Sequence, residues 1–432
     1  MVAGMSAGAG EALPENTPDT RTSPESRYQN LAARFRPVFA RIAAGSLDRE
    51  LTRTLPFEPV QWLKDAGFGA VRLPAGAGGD GASHAEFFRL LVELAEADSN
   101  VAHLLRSHFA FVETIGREDA GFRKRWYARV AAGEIFGNAA TERSGNALGT
   151  TNTKLRPGVE GWVLDGEKYY TTGSIFADWI AVMATTDGVP GRQYAVVPVD
   201  REGVRIVDDW DGFGQQHTGT GTTYFRQVHV PARDVIPRGA ADTTLEAAFF
   251  QLVLLAVLAG IGRAAVRDAA ALVRGRKRTF NTGSGSLFRD DPLIQQLVGR
   301  LSAKAATAEA MVLAAAVELD AAVDPALDLT PEQGYLRTEL AVDRAQITVP
   351  ELVLDVAQGL FDVTGASAVS TTKALDRHWR NARTVATHNP AVFKARGVGD
   401  WEINGTVPQG LGSIGDAPAG PAPAAPAPAV VP

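Results

Sequence analysis

Proton chemistry near neutral pH falls to seven histidines in this chain of 432 residues, because there is no cysteine at all. The missing thiols remove disulfides, thiolate metal sites and cysteine nucleophiles together. His388 closes the run His378-Trp379-Arg380-Asn381-Ala382-Arg383-Thr384-Val385-Ala386-Thr387-His388-Asn389-Pro390, near a helix end. There it either handles a proton or caps the last carbonyls of the helix. His108 lies on a largely apolar helix beside Phe109 and Phe111, so it is either a satisfied core residue or a second proton handler. His103 and His108 are five apart on that helix and point to different faces. No carboxylate completes a ligand group at the usual spacing, so no metal site is expected.

Two further runs suit a flat aromatic cofactor. Asn138-Ala139-Ala140-Thr141-Glu142-Arg143 precedes a Gly-containing loop, and Tyr170-Thr171-Thr172-Gly173-Ser174 follows a strand. A flavin ring needs a flat slot, hydrogen-bond partners for its pyrimidine edge and N5, and exclusion of water. Small hydroxyl residues and exposed backbone at strand ends provide these. Threonine is also common in strands for ordinary reasons, so composition alone does not choose the flavin. Gln215 to Thr222 is a Gly/Thr loop expected to cover the substrate pocket, or else an ordinary hairpin. Gly410-Leu411-Gly412-Ser413-Ile414-Gly415 matches the dinucleotide fingerprint. It sits in a Pro/Gly tail with no strand before it and no helix after it, so no nucleotide site is expected there.

The elements that must carry these residues change period along the chain. Residues 1–26 are small, polar and Pro-containing and read as a disordered segment. Residues 27–135 form an N-terminal helical domain, in which Leu31, Phe35, Phe39 and Ile42 recur at helical spacing. Pro74 to Gly81 is a Gly-rich connection. From 136 to 242 the period shortens to two and predicts an antiparallel β domain. Within it Trp162 to Tyr170 reads as strand, turn, strand, with Asp165-Gly166 at the bend. Strands are also predicted at Ile180 to Ala184, Tyr194 to Val199 and Tyr224 to Val230. Residues 243–405 form a C-terminal helical bundle. Asp291-Pro292 opens one helix, with a stripe at Ile294, Leu297, Val298, Leu301, Ala305 and Ala308. Thr330-Pro331-Glu332 opens another, which Pro350 should kink or split. Residues 406–432 read as a loose Ala/Pro-rich tail.

Composition narrows the function classes. Net charge is −6 with a pI of about 5.7 and no dense basic stripe, which argues against nucleic acid. Phe249 to Ile261 is too short to span a bilayer and reads as a buried helix. Without a signal-peptide core at the start, the expected place is the cytoplasm, with no membrane partner.

Gly67-Phe68-Gly69-Ala70-Val71-Arg72-Leu73-Pro74, then Gly78-Gly79, then Glu93-Leu94-Ala95-Glu96-Ala97-Asp98 resemble the N-terminal pattern of the acyl-CoA dehydrogenase superfamily. Thr141-Glu142 resembles its flavin-contacting loop, and Gly166-Glu167-Lys168 to Thr172 its strand against the isoalloxazine. The resemblance covers roughly Arg27 to Gly405. It implies an α+β fold with an N-terminal helical domain, a central antiparallel β domain and a C-terminal four-helix bundle. The catalytic glutamate of the dehydrogenases falls at Asn389, and an amide cannot remove the α-proton of an acyl thioester. The run around His388, and Phe361-Asp362-Val363-Thr364-Gly365-Ala366-Ser367-Ala368, are instead similar to the flavin-dependent monooxygenase branch of the superfamily.

The resemblance implies reduced FMN as cofactor, supplied by a separate NAD(P)H:flavin reductase, in place of FAD. Asp362 stands where FAD-dependent members receive a diphosphate, and a carboxylate there is unfavourable. The branch chemistry adds O2 at flavin C4a to give a peroxyflavin, which oxygenates a small organosulfur compound. Aromatic and amine substrates, and an FAD-dependent acyl-CoA dehydrogenase, are the alternatives. His388, His108 and Asn138 are the implied catalytic residues. Asn138, Ala140, Thr141, Tyr170, Thr172, Gly173, Lys277, Arg278, Phe280, Gly365 and Ser367 are the implied flavin contacts, with Lys277 and Arg278 at the phosphate. A homo-oligomer, dimer or tetramer, that builds each flavin site across a pair of subunits is also implied.

Overall fold

Phe35, Phe39 and Ile42 do form one buried stripe, on helix α1 (Pro24–Ala44). Ser23 caps that helix by accepting from the Ser26 amide, with Pro24 as its first residue. The cap brings Pro24–Ser26 into the helix, so this helix starts before residue 27. The computed structural model describes residues 23–143, 151–189, 191–238, 244–284 and 286–408. The Gly410–Gly415 motif lies outside the described residues.

Helices α2 (Ser46–Thr52), α3 (Phe57–Asp65), α4 (His84–Ala97), α5 (Ser99–Leu104), α6 (Arg106–Ile115) and α7 (Ala120–Ala131) complete the first helical layer. A cluster of rings ties it together. Phe87 lies 4.4 Å from Phe109 and 5.8 Å from Phe249, between ring centroids. The last contact joins this layer to the first turn of α8 (Glu246–Gly275). That helix is apolar on nearly every face because it is central: α4, α9 (Pro292–Val323), α10 (Pro331–Thr364) and α11 (Asp376–Ala386) all pack on it. It is long and apolar enough to cross a membrane by composition, but 83% of its most apolar window is buried inside the protein. Helix α12 (Ala391–Asn404) packs on α10.

The β domain is two four-stranded sheets. One runs β1 (Phe136–Ala139), β4 (Trp179–Ala184), β5 (Arg192–Pro198), β8 (Val235–Arg238). The other runs β2 (Lys154–Gly158), β3 (Gly161–Lys168), β7 (Thr223–Val230), β6 (Val204–Ile206). Leu155, Leu164, Val182, Val197 and Phe225 form part of the core of this domain. All pairings are antiparallel except β1 with β4, which is parallel.

Two local expectations need correction. Asp165-Gly166 is not a hairpin turn, because Gly161–Lys168 is one strand running through it. The pair is a bulge against β7, with Gly166 at φ 156°, and the Asp165 carboxylate accepts from the Gln227 amide at 2.8 Å. The turn into this strand is at Gly158–Gly161 instead. Pro350 also does not split its helix, since α10 runs unbroken from Pro331 to Thr364. Val349, Pro350 and Val353 are buried, so packing on that face holds the helix together past the missing amide.

Helix α10 carries a buried polar stripe that fixes the α11–α12 connection. Glu339 and Asp343 face Lys394 of α12, whose Nζ is 2.7 Å from Asp343 Oδ1 and 4.0 Å from Glu339 Oε2. Gln346, one turn on, donates from Nε2 to the Asn389 carbonyl at 3.4 Å. One lysine cannot balance two buried carboxylates. Burial pushes Glu339 up to about 7, with Lys394 opposing and Asp343 adding to the rise. An unfolded glutamate titrates near 4.5, so between these values the fold keeps a proton the unfolded chain has lost. Stability therefore falls as pH rises through that window. Glu339→Gln should be more stable than wild type at pH 8, by roughly 3 kcal/mol. The difference should shrink towards zero at pH 4.5. Denaturant unfolding at the two pH values measures it, and an equal difference at both would contradict the assignment.

Candidate active site

The short helices α5 and α6 are separated by Leu105 alone, and the chain bends there. The bend is matched by Gly173, at φ 81°, where any Cβ would collide with the Leu104 carbonyl. Only glycine allows the strand end after Lys168 to approach the α5–α6 junction this closely. Ser107 Oγ then donates to the Thr172 carbonyl at 3.4 Å. Thr172 Oγ1 pairs with Thr220 Oγ1 at 2.7 Å, and Thr218 Oγ1 with Thr220 Oγ1 at 2.8 Å.

Gln215 to Thr222 is not a cover. It is a fixed wall between β6 and β7, and Gln215, His217, Thr218, Thr220 and Thr222 are all buried. Gln215 donates its backbone amide to Asn381 Oδ1 at 2.6 Å and Nε2 to Ser99 Oγ at 3.0 Å. Its Oε1 is 3.0 Å from His103 Nδ1.

His388 stands two residues beyond the end of α11. Its ring caps no carbonyl. Nε2 is 3.4 Å from Arg106 Nη1, and Nδ1 is 3.0 Å from the Asn389 side-chain amide. Both neighbours are nitrogen donors, the Arg106 guanidinium at Nε2 and the Asn389 Nδ2 amide at Nδ1, so both ring nitrogens face donors and neither is singled out as the protonated one. The ring is solvent-accessible within a recess of the surrounding helices. That enclosure holds its pKa well below the usual histidine value, with Arg106 and His103 adding to the effect. His388 is therefore neutral near pH 7, with one nitrogen that gives a proton and one that takes it.

His108 is different. It is fully buried, Nε2 is 2.8 Å from the Gly69 carbonyl, and Nδ1 accepts from the Phe136 amide at 3.3 Å. Both nitrogens are used by backbone, and burial lowers its pKa to about 4. This geometry makes it a core histidine that fastens β1 to the first helical layer, and it corrects the catalytic expectation for His108. The histidine that reaches the recess from this segment is His103, which sequence reasoning set aside with the metal question. Its pKa is lowered to about 4, by burial first and Arg106 second. Arg106 and Ser107 were also missed. No local signal in the sequence marked them.

The remaining expected residues divide into two groups. Asn138, on β1, has a partly exposed side chain with no hydrogen bond among the described residues, and its carbonyl accepts from Ser174 Oγ at 3.3 Å. The Thr141 carbonyl accepts from the Tyr169 amide at 2.8 Å, and the Ala140 carbonyl from Lys168 Nζ at 3.0 Å. Tyr170, at φ 60°, is 50% exposed and packs edge-on to Tyr169 and Trp210. With Thr172 and Gly173 these residues form an open, hydroxyl-lined ledge near the recess.

Lys277, Arg278, Phe280, Gly365 and Ser367 lie elsewhere, just past the C-terminal ends of α8 and α10. Arg276, Lys277, Arg278, Thr364, Ser367 and Lys373 line a cavity of about 650 Å³ with no acidic residue among its lining. Arg276, which sequence reasoning missed, braces it by donating to the Thr364 carbonyl at 3.0 Å and lying over the rings of Phe280 and Phe288. Asp362 is exposed on the last turn of α10 and does not line the cavity. The recess meets α8 at Phe250, whose carbonyl accepts from Arg106 Nε at 3.0 Å, while the basic cavity is at Arg276. From Phe250 to Arg276 the helix rises roughly 40 Å.

The comparisons agree with this architecture. The family described as Acyl-CoA dehydrogenase, middle domain, matches residues 138–228, and Acyl-CoA dehydrogenase, C-terminal domain, matches residues 252–392. Together they cover more than half of the chain. The probable FMNH2-dependent monooxygenase SfnC of Pseudomonas putida is 27% identical, over 86% of this chain and 94% of its own. A dibenzothiophene monooxygenase of Mycolicibacterium goodii is 28% identical, over 91% and 98%. FMN-bound TdsC from Paenibacillus sp. A11-2 superposes with a TM-score of 0.80 at 26% identity, over 89% of this chain and 99% of that one. The chain belongs to the acyl-CoA dehydrogenase family, and within it resembles the flavin-dependent monooxygenases.

Proposed function

We propose that this protein is a two-component monooxygenase that uses reduced FMN and O2 to oxygenate a small organosulfur compound. The observation that carries the reading is the His388–Asn389 pair. At the position where a dehydrogenase needs a carboxylate base, the chain presents a neutral imidazole beside an amide. That pair moves single protons but does not deprotonate an acyl thioester. The relatives named for FMNH2 and dibenzothiophene support the cofactor and the substrate class. An FAD-dependent acyl-CoA dehydrogenase is the reading it displaces.

The residues fit the cofactor. Four cations without a carboxylate around the basic cavity suit a phosphate. The open ledge at Asn138, Tyr170 and Thr172 suits the ring, and the unpartnered Asn138 amide has hydrogen bonds to offer it. Reduced FMN supplies two electrons that activate O2. One oxygen atom goes to the substrate sulfur, and the other leaves as water. Asn138 and Thr172 orient the ring edge. The buried Gln215–Thr222 wall keeps water out. His388, as a neutral imidazole, would hold and return the proton. A separate flavin reductase, as found in the cytoplasm, completes the system.

The rise of roughly 40 Å along α8 supports a reading in which each flavin is held by two copies of the chain, one giving the ledge and recess and the other the basic cavity. The protein is then a homodimer, or a tetramer of such pairs. A mixing experiment tests this. His388→Ala and the double variant Lys277→Glu/Arg278→Glu should each be inactive in oxygen transfer. Hybrids refolded from an equal mixture should regain about one quarter of wild-type activity, because half the dimers each hold one intact shared site. If the halves work within one chain, mixing restores nothing, and the shared-site arrangement is wrong.

A further inference from the structure

One side chain of the Gln215–Thr222 wall claims two residues of helix α5. Ser99 and His103 stand four apart, on the same face of that helix. The Gln215 amide spans them. Its Nε2 donates to Ser99 Oγ at 3.0 Å, and its Oε1 is 3.0 Å from His103 Nδ1. An amide oxygen only accepts, so in this arrangement His103 donates through Nδ1–H. A neutral imidazole carries one such proton, and its lone pair is then at Nε2. That nitrogen has no hydrogen bond among the described residues. It is not sealed off either, unlike Nε2 of His217 in the same wall, which is buried without a partner.

The rest of Gln215 is fixed as well. The residue is 1% exposed, and its backbone sits at φ 52°. Only Ala374 shares both properties among the described non-glycine residues. Such a conformation persists where the surroundings over-determine it. Here Asn381 of α11 accepts the Gln215 amide at 2.6 Å, and the Thr218 hydroxyl donates to the Gln215 carbonyl at 2.8 Å. Gly214 lies so close to α11 that a Cβ would collide with the Arg380 carbonyl. The His217 amide donates to Asn100 Oδ1, on α5, at 3.2 Å. The wall is thus pinned to α5 and to α11, the helix that leads to His388. Arg106 and His388 are the charged and titratable groups that bear on His103, and a guanidinium cannot accept its proton. Burial and Arg106 hold His103 down to about 4, so near pH 7 the ring is neutral and the place of its single proton is what remains to be set.

We propose that Gln215 is a positioning residue of the active site: its amide holds His103 in the Nδ1–H form, so that Nε2 is the proton acceptor His103 offers to the recess. This rests on the oxygenase reading for the use made of the proton, but not for the tautomer. A serine hydroxyl serves either end of an amide, so the form of His103 is the property to read.

Histidine-selective 15N labelling and long-range 1H–15N spectra of the full chain near pH 7 read it directly, with His103→Gln identifying the signal. Wild type should show the Nδ1–H form alone. Gln215→Met keeps the length and the backbone contacts but offers no acceptor, and should populate the Nε2–H form. Gln215→Glu keeps an acceptor at Nδ1 and should restore the wild-type form. Oxygen transfer with reduced FMN should fall about 10- to 100-fold in Gln215→Met, the range seen when the partner orienting a metal-bound imidazole is lost, and recover in part in Gln215→Glu. A glutamine that only braces the wall predicts a lower melting temperature in both variants with the tautomer unchanged. That result, or an Nε2–H ring in the wild type, would overturn the proposal. So would undiminished transfer in a Gln215→Met variant whose tautomer has shifted. A tautomer set by Gln215 in a protein that transfers no oxygen would keep the assignment and reject the oxygenase reading.

Discussion

Replacing His388 with alanine should leave the protein folded and still able to hold reduced FMN, but should uncouple oxygen consumption from product. Among the described residues the ring has two hydrogen-bond neighbours, Arg106 and Asn389, and neither belongs to a core cluster. Reaction of O2 with the reduced flavin depends mainly on the flavin. Transfer to substrate depends on a proton being held and returned at the right place. Removing that service should lower the transfer rate about 100- to 10,000-fold, the usual range for general acid–base help. Hydrogen peroxide should appear in place of the missing product. Stopped-flow absorbance with a peroxide assay reads both. A helix-capping histidine predicts another outcome, a stability loss of about 1 kcal/mol or less with coupling intact. Unchanged coupling would transfer the proton role to His103, the other imidazole of the recess.

Lys168→Met should show the largest stability loss away from the active site, because the lysine is a buried charge held by a complete set of partners. It is fully buried on β3, with Nζ donating to Glu142 Oε1 at 2.9 Å, Thr151 Oγ1 at 2.8 Å and the Ala140 carbonyl at 3.0 Å. Glu142 is equally committed. It accepts from the Asn152 amide at 2.8 Å, the Thr153 amide at 2.9 Å and Thr153 Oγ1 at 2.7 Å. These bonds hold its carboxyl far below the usual range, while burial brings Lys168 down to about 8. The pair thus ties Glu142, and with it Ala140 and Thr141, to β3. Methionine keeps the bulk but leaves Glu142 without its cation. Breaking such a pair costs about 3–5 kcal/mol. Denaturant unfolding should show that loss, with weaker FMN binding because Ala140 and Thr141 lose their anchor. The double variant Lys168→Met/Glu142→Gln should recover part of the stability. A loss under about 1 kcal/mol would place the pair among ordinary surface ion pairs.

What the sequence made legible was whatever local spacing determines. The helical repeat at Phe35, Phe39 and Ile42 is a burial pattern, and it is buried. Phe249 to Ile261 has no polar face because other helices pack on that part of α8 from several sides. Errors arose where one local signal serves two structures. Asp165-Gly166 suits a hairpin or a bulge, and only the pairing of β3 with β7 decides. Pro350 breaks an isolated helix, but α8, α9 and α12 pack along this one. The sequence singled out His388 but not Arg106, the residue that its ring meets. Arg106 is 282 residues away in sequence, and no spacing rule brings the two together. His103 and His108 looked alike on an apolar helix. The bend at Leu105 sends one to the recess and leaves the other in the core.

The most direct measurement of the central claim is isotopic. The protein is loaded anaerobically with reduced FMN, then mixed once with 18O2 and dibenzothiophene. Mass spectrometry counts the label in the product, and a parallel reaction uses reduced FAD. The account predicts one 18O atom per product molecule, the other in water, with FMN clearly outperforming FAD. Product without label, no product with either flavin, or oxygen-independent oxidation of an acyl-CoA with FAD would contradict it.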